Sequence, residues 1–213
     1  SVPCSGVWAG EIIPLSQEEQ TINTGFEWRN RDKDHVAGFV NVTYDMDNDI
    51  EVGVGLRVDR WTNASANLAS GLTSSKNSTE ILPRLSVSKL LEDDSMVYFT
   101  AAQGYEPGGY NLANFANESG LHGFGAEEAT SLEIGWKGAS SDGRWLATVA
   151  AFFIDYDNRQ IEYQAESPQG GVIEGIVNLG DSEQKGLEAS VTMVLNDNLN
   201  LSLSGGWVDA EWK

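Results

Sequence analysis

Alternation of apolar and polar residues on both sides of a short turn is the feature that most restricts how this chain can fold. Residues 131–137 alternate in this way, and residues 145–156 resume the pattern after the turn. A period of two places successive side chains on opposite faces of a strand. Between the two runs, Asp142-Gly143 is a dipeptide typical of tight hairpin turns. The pattern therefore predicts an antiparallel β-hairpin over residues 131–156.

Similar extended segments recur along most of the chain. Further strands are predicted over residues 20–29, 36–44, 50–59, 80–91, 96–105, 172–195 and 199–207, and residues 158–165 are expected to prolong the second strand of the hairpin. Tight turns are predicted at 30–34, 45–49, 92–94, 140–143 and 196–198, and longer connections at 61–79, 106–127 and 166–171. The sequence therefore predicts an all-β fold, an antiparallel up-and-down meander or partial transmembrane barrel of about nine or ten strands in residues 20–213. Residues 1–19 have weak periodicity and are expected to form an irregular N-terminal segment.

The order of the connections is informative, because tight and longer ones alternate. Up-and-down barrels of outer membranes have short turns at one end and long loops at the other. Predicted strand lengths agree, since about 9 to 11 tilted residues cross a bilayer. We therefore expect the connections 61–79 and 106–127 to emerge together at the extracellular end. The tight turns 45–49, 92–94, 140–143 and 196–198 should share the periplasmic end.

The polar faces of the predicted strands carry charges well inside the strands. These charged residues are Glu51, Arg57, Glu133, Lys137 and Glu188. A dry core rarely accepts unpaired charges, so a wide polar lumen fits them better. Aromatic residues near strand ends fit the girdles of such barrels, although aromatics also favour ordinary strands. They are Trp61, Tyr105, Trp136, Trp145, Tyr163, Trp207 and Trp212.

Composition excludes several functions. The net charge of −19 argues against nucleic-acid binding, which needs clustered Lys and Arg. The sequence contains no apolar run of the roughly 18 residues that a transmembrane helix needs. Cys4 is the single cysteine, so an intrachain disulfide is impossible. The first residues lack a secretory-signal pattern, so we expect either a processed chain or a fragment.

Candidate catalytic and metal motifs fail on inspection, and we predict neither an enzyme nor a cofactor. The acidic run 45–49 lacks the Gly and Glu that an EF-hand loop requires. His35 and His122 have no ligand-spaced partners for zinc. Asp155 and Asp157 are spaced like residues of one wet strand face rather than a catalytic acid pair.

Five segments in order resemble the barrel domain of TonB-dependent outer-membrane receptors. They are LPRLSVSKLLEDDSMVYFTAAQGYEPGGYN (82–111), EEATSLEIGWKG (127–138), DGRWLATVAAFFIDYDNRQIE (142–162), NLGDSEQKGLEASV (178–191) and LNLSLSGGWVDAEW (199–212). No single motif is specific to this family, but the order and spacing of the five segments together are. The family's plug domain, energy-coupling motif and terminal aromatic strand have no counterpart here, so the chain resembles a fragment of the barrel.

The resemblance implies a receptor in the outer membrane of a Gram-negative bacterium. Such a receptor takes up a scarce solute, for example an iron–siderophore complex, with outer-membrane lipid around it. Contact with TonB would be made only through the missing plug, and no nucleic-acid partner is implied. A small stand-alone β-barrel that acts as a binding or structural module is the alternative. A carbohydrate-active enzyme would need an acid pair that the sequence does not offer.

The connection 106–127 is the candidate ligand-binding loop, because it combines aromatic faces and amide groups on a Gly-rich frame. Its candidate residues are Tyr110, Asn111, Asn114, Phe115, His122 and Phe124. A variable outer loop without a binding role is the alternative.

Overall fold

The computed structural model describes residues 5–8, 11–14, 29–67, 73–111, 116, 119–167 and 170–213. These residues form fourteen strands: β1 (Ser5–Trp8), β2 (Glu11–Pro14), β3 (Arg29–Met46), β4 (Ile50–Asn67), β5 (Thr73–Leu90), β6 (Met96–Glu106), β7 (Gly109–Tyr110), β8 (Gly123–Phe124), β9 (Glu127–Ala139), β10 (Trp145–Asp157), β11 (Gln160–Glu166), β12 (Val172–Asn178), β13 (Ser182–Asn196) and β14 (Leu199–Trp212). Within the same ranges, no helix is long and apolar enough to cross a membrane.

Eight of these strands form one antiparallel sheet in the order β3-β4-β5-β6-β9-β10-β13-β14. Val54 of β4 lies opposite Val42 of β3 on one side and Leu85 of β5 on the other. The other six strands form three hairpins: β1–β2, β7–β8 and β11–β12. The predicted all-β meander is therefore confirmed, and the β1–β2 hairpin lies in the segment expected to be irregular. The predicted strand 20–29 lies, except for its last residue, outside the described residues.

Two predictions near the start of the sheet are wrong, because strands β3 to β5 are longer than their apolar patterns. Residues 30–34 belong to β3 rather than to a turn, and most of the connection predicted at 61–79 belongs to β4 and β5. Asn63, for example, is paired with Lys33 and with Lys76. Backbone hydrogen bonds continue the strand pairing there, although the side chains are polar. The alternation of apolar and polar residues therefore stops before the strands end, and the sequence pattern does not identify their last residues.

The prediction that residues 158–165 prolong the hairpin strand is also wrong. Strand β10 ends at Asp157, and Asn158 has a φ of 55°, in the left-handed region that ends an extended run. Strand β11 then pairs with β12 instead of with the main sheet. Gly180, with a φ of 70°, separates β12 from β13, so the extended run predicted at 172–195 is two strands.

One face of the main sheet is apolar and exposed. Its side chains include Val36, Val40, Val42, Val54, Leu56, Val58, Ile81, Leu85, Leu132, Ile134, Val149, Leu187, Leu203 and Trp207. In β4, β10 and β14 the apolar stretch covers residues 50–58, 145–153 and 199–207. A stretch of about nine residues, tilted by about 40°, rises about 23 Å, which matches the apolar band of outer-membrane barrels.

Charged side chains border this band where the strands approach the longer connections. Lys185 Nζ lies 3.4 Å from a carboxylate oxygen of Asp209, and Lys213 Nζ lies 2.5 Å from Asp155 Oδ1. Toward the tight turns, the rings of Trp136 and Trp145 pack with centroids 6.5 Å apart. Aromatic residues and charges therefore mark the edges of the band, as expected at membrane interfaces.

The opposite face of the sheet carries the predicted charges. Glu51 and Arg57 lie there in β4, and Glu133 lies across the sheet in β9. Tyr98 Oη donates to Glu133 Oε1 at 2.7 Å. The girdle prediction is wrong for Trp61 and Trp212, because both point to this polar face by register. It is also wrong for Tyr163, which lies in the β11–β12 hairpin outside the main sheet.

The two ends of the sheet differ as the sequence predicts. The tight turns at 47–49, 91–95, 140–144 and 197–198 share one end, and the connections 107–126 and 158–181 share the other. At the tight-turn end, Asp93 Oδ1 accepts hydrogen bonds from the hydroxyl of Ser95 at 2.6 Å and from its amide at 3.1 Å. These bonds favour the carboxylate and lower the pKa of Asp93.

Candidate functional site

A cleft of 690 Å³ opens at the long-loop end of the sheet, between the connection 106–127 and the β11–β12 hairpin. Its described lining consists of Glu106, Tyr110, Asn111, Phe124, Glu127, Gln160, Glu162, Glu174, Gly175 and Ile176. Its volume falls within the range of small-molecule sites, and its walls combine aromatic rings with polar groups.

The candidate residues from the loop are distributed unevenly around this cleft. Tyr110, Asn111 and Phe124 line it. His122 is exposed, and its backbone carbonyl accepts a hydrogen bond from the backbone N–H of Asn111 at 3.0 Å. The remaining candidates, Asn114 and Phe115, lie outside the described residues. The structure thus brings three of the six candidates together at one cleft.

Asn111 is buried, with 4% of its surface exposed, and its side chain joins the loop to the hairpin. Its Oδ1 accepts the Ile176 N–H at 2.7 Å, and its Nδ2 donates to the Ile176 carbonyl at 2.8 Å. Nδ2 also donates to the Leu121 carbonyl at 3.0 Å. The amide is therefore part of the frame of the cleft.

Residues of the hairpin hold the loop in return. Asn178 Oδ1 accepts the Gly125 N–H at 2.5 Å, and Asn178 Nδ2 lies 3.3 Å from the Gly125 carbonyl. Gln160 Nε2 donates to the carbonyls of Glu106, Pro107 and Gly125, at 3.1 Å each. These bonds satisfy backbone groups of a loop whose described strands, β7 and β8, are two residues long each.

The loop backbone also approaches itself closely. A Cβ on Gly108 would lie 2.5 Å from the Phe124 carbonyl oxygen. No side chain fits there without moving backbone, so glycine is required at this position. From the sheet below, Lys76 Nζ donates to the same carbonyl at 2.9 Å.

Four carboxylates give the cleft a negative charge. The Glu127 carboxylate accepts a hydrogen bond from the backbone N–H of Gln160 at 2.7 Å, and its other oxygen lies 3.6 Å from Arg159 Nε. Glu174 accepts the side-chain amide of Gln164 at 2.7 Å. In the sequences 106–127 and 158–181, Arg159 is the single Lys or Arg. Glu106 and Glu162 complete the acidic set.

Sequence reasoning missed the hairpin side of the cleft. Residues 160–166 and 172–178 flank a Gly-containing turn and are hairpin segments in their own right, but reading the first as part of β10 concealed this. Glu162, Glu174 and Gly175 therefore went unrecognised as neighbours of the candidate loop.

A second polar cluster lies on the polar face of the main sheet, at Asp59 of β4. Asp59 is 3% exposed, and its carboxylate accepts a hydrogen bond from Arg57 Nε at 2.7 Å. Its other oxygen lies 3.2 Å from both His35 Nε2 and the Tyr105 hydroxyl. These contacts satisfy a buried carboxylate and fix neighbouring strands. Across the described residues, no group of three or more His, Cys, Asp or Glu is arranged to hold a metal ion.

The sheet, with an apolar band on one face and charges on the other, is a wall segment of a transmembrane β-barrel, and a framed cleft lies at its long-loop end. The chain belongs to the TonB-dependent receptor-like β-barrel family, whose model matches residues 14–213. Proteins of this family are outer-membrane receptors of Gram-negative bacteria.

Similar proteins include receptors for iron chelates. A pesticin receptor of Yersinia enterocolitica is 24% identical over 183 residues, which are 83% of this chain and 26% of that protein. The ferric yersiniabactin uptake receptor FyuA of Yersinia pestis superposes with a TM-score of 0.71 at 21% identity, over 87% of this chain and 28% of FyuA. The siderophore receptor PiuA of Acinetobacter baumannii superposes with a TM-score of 0.68 at 19% identity, over 86% of this chain and 26% of PiuA. The chain thus spans about a quarter of the length of these relatives.

Proposed function

We propose that this chain is part of the wall of an outer-membrane receptor that takes up a scarce small solute, such as an iron–siderophore complex. The observation that carries the proposal is the cleft between the connection 106–127 and the β11–β12 hairpin. It lies at the end opposite the tight turns, where loops of outer-membrane barrels meet extracellular solutes. Family membership favours this role over that of a stand-alone barrel module.

In this proposal the apolar sheet face contacts lipid, the long connections are extracellular and the tight turns are periplasmic. Strands β3 to β5 extend beyond the apolar band toward the long-loop end, so they rise above the bilayer. Energy from TonB would reach the solute through a plug domain inside the closed barrel, and the described sheet supplies part of the wall around it.

Tyr110 and Phe124 are the side chains that we assign to direct solute contact. Both are partly exposed and line the cleft, so their rings offer flat apolar faces to a bound molecule. Asn114, Phe115 and His122 would add to the same binding surface from the same loop. Asn111 acts through the frame described above.

The test is uptake of radioactive iron by cells that carry the intact receptor, with siderophores from the host's own iron-starved medium. Deleting residues 110–124 should abolish uptake while barrel assembly stays unchanged, because surface loops contribute little to the hydrogen-bonded wall. Assembly is measured by heat-modifiable mobility in gels. Unimpaired uptake by the assembled deletion variant would remove this loop from the solute site.

Point variants sharpen the same test. Tyr110→Ala and Phe124→Ala should each reduce uptake, since each removes an aromatic face from the cleft. Leu121→Ala is the matched control, because Leu121 lies in the same loop, is 46% exposed and is not among the lining residues of the cleft. Equal uptake by all three variants would argue against direct contact by the two rings.

A further inference from the structure

Two asparagine side chains cross between the loop and the hairpin in opposite directions. Asn111 leaves the loop and bonds to both backbone groups of Ile176 in β12, at 2.7 and 2.8 Å. Asn178, the last residue of β12, bonds to both backbone groups of Gly125 in the loop, at 2.5 and 3.3 Å. The paired residues are 65 and 53 positions apart in sequence.

Each contact imitates a strand pair. A carboxamide has one acceptor and one donor side by side, as an extended backbone residue does, so it can bond to both the N–H and the C=O of one partner. The loop thus gains two links to the hairpin at Asn111 and Gly125, which lie outside its own short strands β7 and β8. Asn111 is almost fully buried, so breaking its bonds would leave polar groups unsatisfied away from water.

The two walls of the cleft belong to these two connections. Tyr110 and Phe124 come from the loop, whereas Glu162 and Glu174 come from the hairpin. The distance between the walls therefore depends on whatever holds the loop against the hairpin. Gln160 helps at the base of the loop, and the asparagine pair acts beside the lining residues themselves.

We propose that Asn111 and Asn178 form a reciprocal latch that joins the connection 107–126 and the β11–β12 hairpin into one body and so sets the width of the cleft. They are positioning residues for solute binding, and this role rests on the proposed function. When the latch is broken, the two connections move independently and the cleft loses its fixed width, while the barrel wall remains intact.

The first test measures the distance between the two connections and needs no solute. In the intact receptor, spin labels are attached at Leu121→Cys in the loop and Val172→Cys in the hairpin, with Cys4→Ser to prevent labelling at Cys4. Pulsed electron paramagnetic resonance then measures the distance between the two labels. Both positions are exposed. Asn111→Asp keeps the shape of the side chain but replaces its donor with a charged acceptor facing the Ile176 carbonyl. We expect a narrow distance distribution in the parent and a broad one in Asn111→Asp and in Asn178→Asp.

Acidification separates a hydrogen-bonding role from simple packing. A protonated carboxylic acid has one donor and one acceptor, so it can restore both bonds to Ile176, although not the second donation of the amide to the Leu121 carbonyl. Burial beside a carbonyl favours the neutral acid, so we expect the narrow distribution of Asn111→Asp to return at about pH 5. A variant that had lost only packing would not recover with pH. The parent measured over the same pH range is the control.

The second test connects the latch to binding. Iron-loaded siderophores purified from the host's iron-starved medium are titrated onto the same receptors at pH 7.5. Each single variant loses its donor bond and places a carboxylate against a carbonyl, and we expect this change to reduce the affinity by about tenfold. We expect less than the product of the single losses for the double variant, because the loss of either asparagine already frees the two connections to move independently. Asn198→Asp, in an exposed tight turn at the other end, should bind as the parent does.

The outcomes separate the latch from the proposed function. A narrow distribution in both single variants overturns the latch. Broad distributions with unchanged siderophore affinity overturn the positioning role. Siderophore binding that is insensitive to Tyr110→Ala and Phe124→Ala as well would instead remove the solute from this cleft, and the distance measurements would still decide whether the latch exists.

Discussion

The ring of Tyr98 lies across Gly135, its direct partner on the neighbouring strand. A Cβ on Gly135 would meet the Tyr98 Cζ and Oη at 2.5 Å, so the ring occupies the space that any other residue would fill. In this position Tyr98 Oη reaches Glu133 and the ring lies 4.9 Å from Lys137 Nζ. A glycine therefore allows an aromatic residue to organise charges on the inner wall.

Replacing this glycine should destabilise the barrel. Gly135→Ala forces the Tyr98 ring aside and breaks its bond to Glu133, at an expected cost of about 1–3 kcal/mol. Gly104→Ala is the matched control on the same face, since a Cβ there would meet no heavy atom of the described residues within 4 Å. Urea unfolding of the receptor in lipid vesicles measures both. Equal stability of the two variants would show that the ring gives way without cost.

The apolar band predicts that substitution by arginine costs much more stability at an outward-facing residue than at the inward-facing residue next to it. Leu203 lies at the middle of the band in β14 and faces outward, whereas Ser204 faces the inner wall. Leu203→Arg should destabilise the barrel by about 2–4 kcal/mol, because it places a charge at the bilayer midplane. Ser204→Arg should cost little, since that face is polar. A larger loss of stability for Ser204→Arg in the same unfolding assay would reverse the assignment of faces.

The faces of the strands were predictable because burial on one side imposes a period of two. Val52, Val54 and Leu56 alternate with Glu51 and Arg57 in the sequence, and the register places the two sets on opposite faces. The extension of β4 beyond Trp61 was not predictable in this way. Outside the bilayer, backbone pairing sustains the strand and no face has to be apolar, so Thr, Asn and Ser there resemble a loop.

The cleft was predictable only on its loop side. Aromatic and amide residues in the sequence identified the loop that contains Tyr110 and Phe124. The hairpin side depends on Asn158 taking a left-handed conformation, which turns the chain out of the main sheet. The contacts of Asn111 with Ile176 join residues 65 positions apart, and no local pattern encodes such a pair.

A pH-dependent contribution to stability is expected at the turn between β5 and β6. The Ser95 hydroxyl and amide lower the pKa of Asp93 in the folded protein. This stabilisation is fully present above the unfolded carboxyl pKa of about 3.9 and is lost as the pH falls through the lower folded pKa. Ser95→Ala should therefore be less stable than the parent at pH 7, and the difference should shrink toward about pH 2.

The measurement is the urea midpoint of parent and variant at both pH values. Ser141→Ala, at an exposed position of another tight turn, controls for loss of a hydroxyl in a turn. A stability difference for Ser95→Ala that stayed constant from neutral to acid pH would show that the Asp93 carboxylate is not involved.

The carboxylates of the cleft should make solute binding depend on charge. Walls of one sign concentrate ions of the opposite sign, and salt weakens the effect. Ferric chelates with one iron-binding core and a positive, neutral or negative side group provide the probes. The intact receptor should bind the positive form most tightly, and Glu162→Gln with Glu174→Gln should reduce that preference several-fold. Glu166→Gln is the matched control, because Glu166 lies in the same hairpin and is not among the lining residues. Tighter binding of the negative form by the parent would show that groups beyond the described walls set the charge preference of this site.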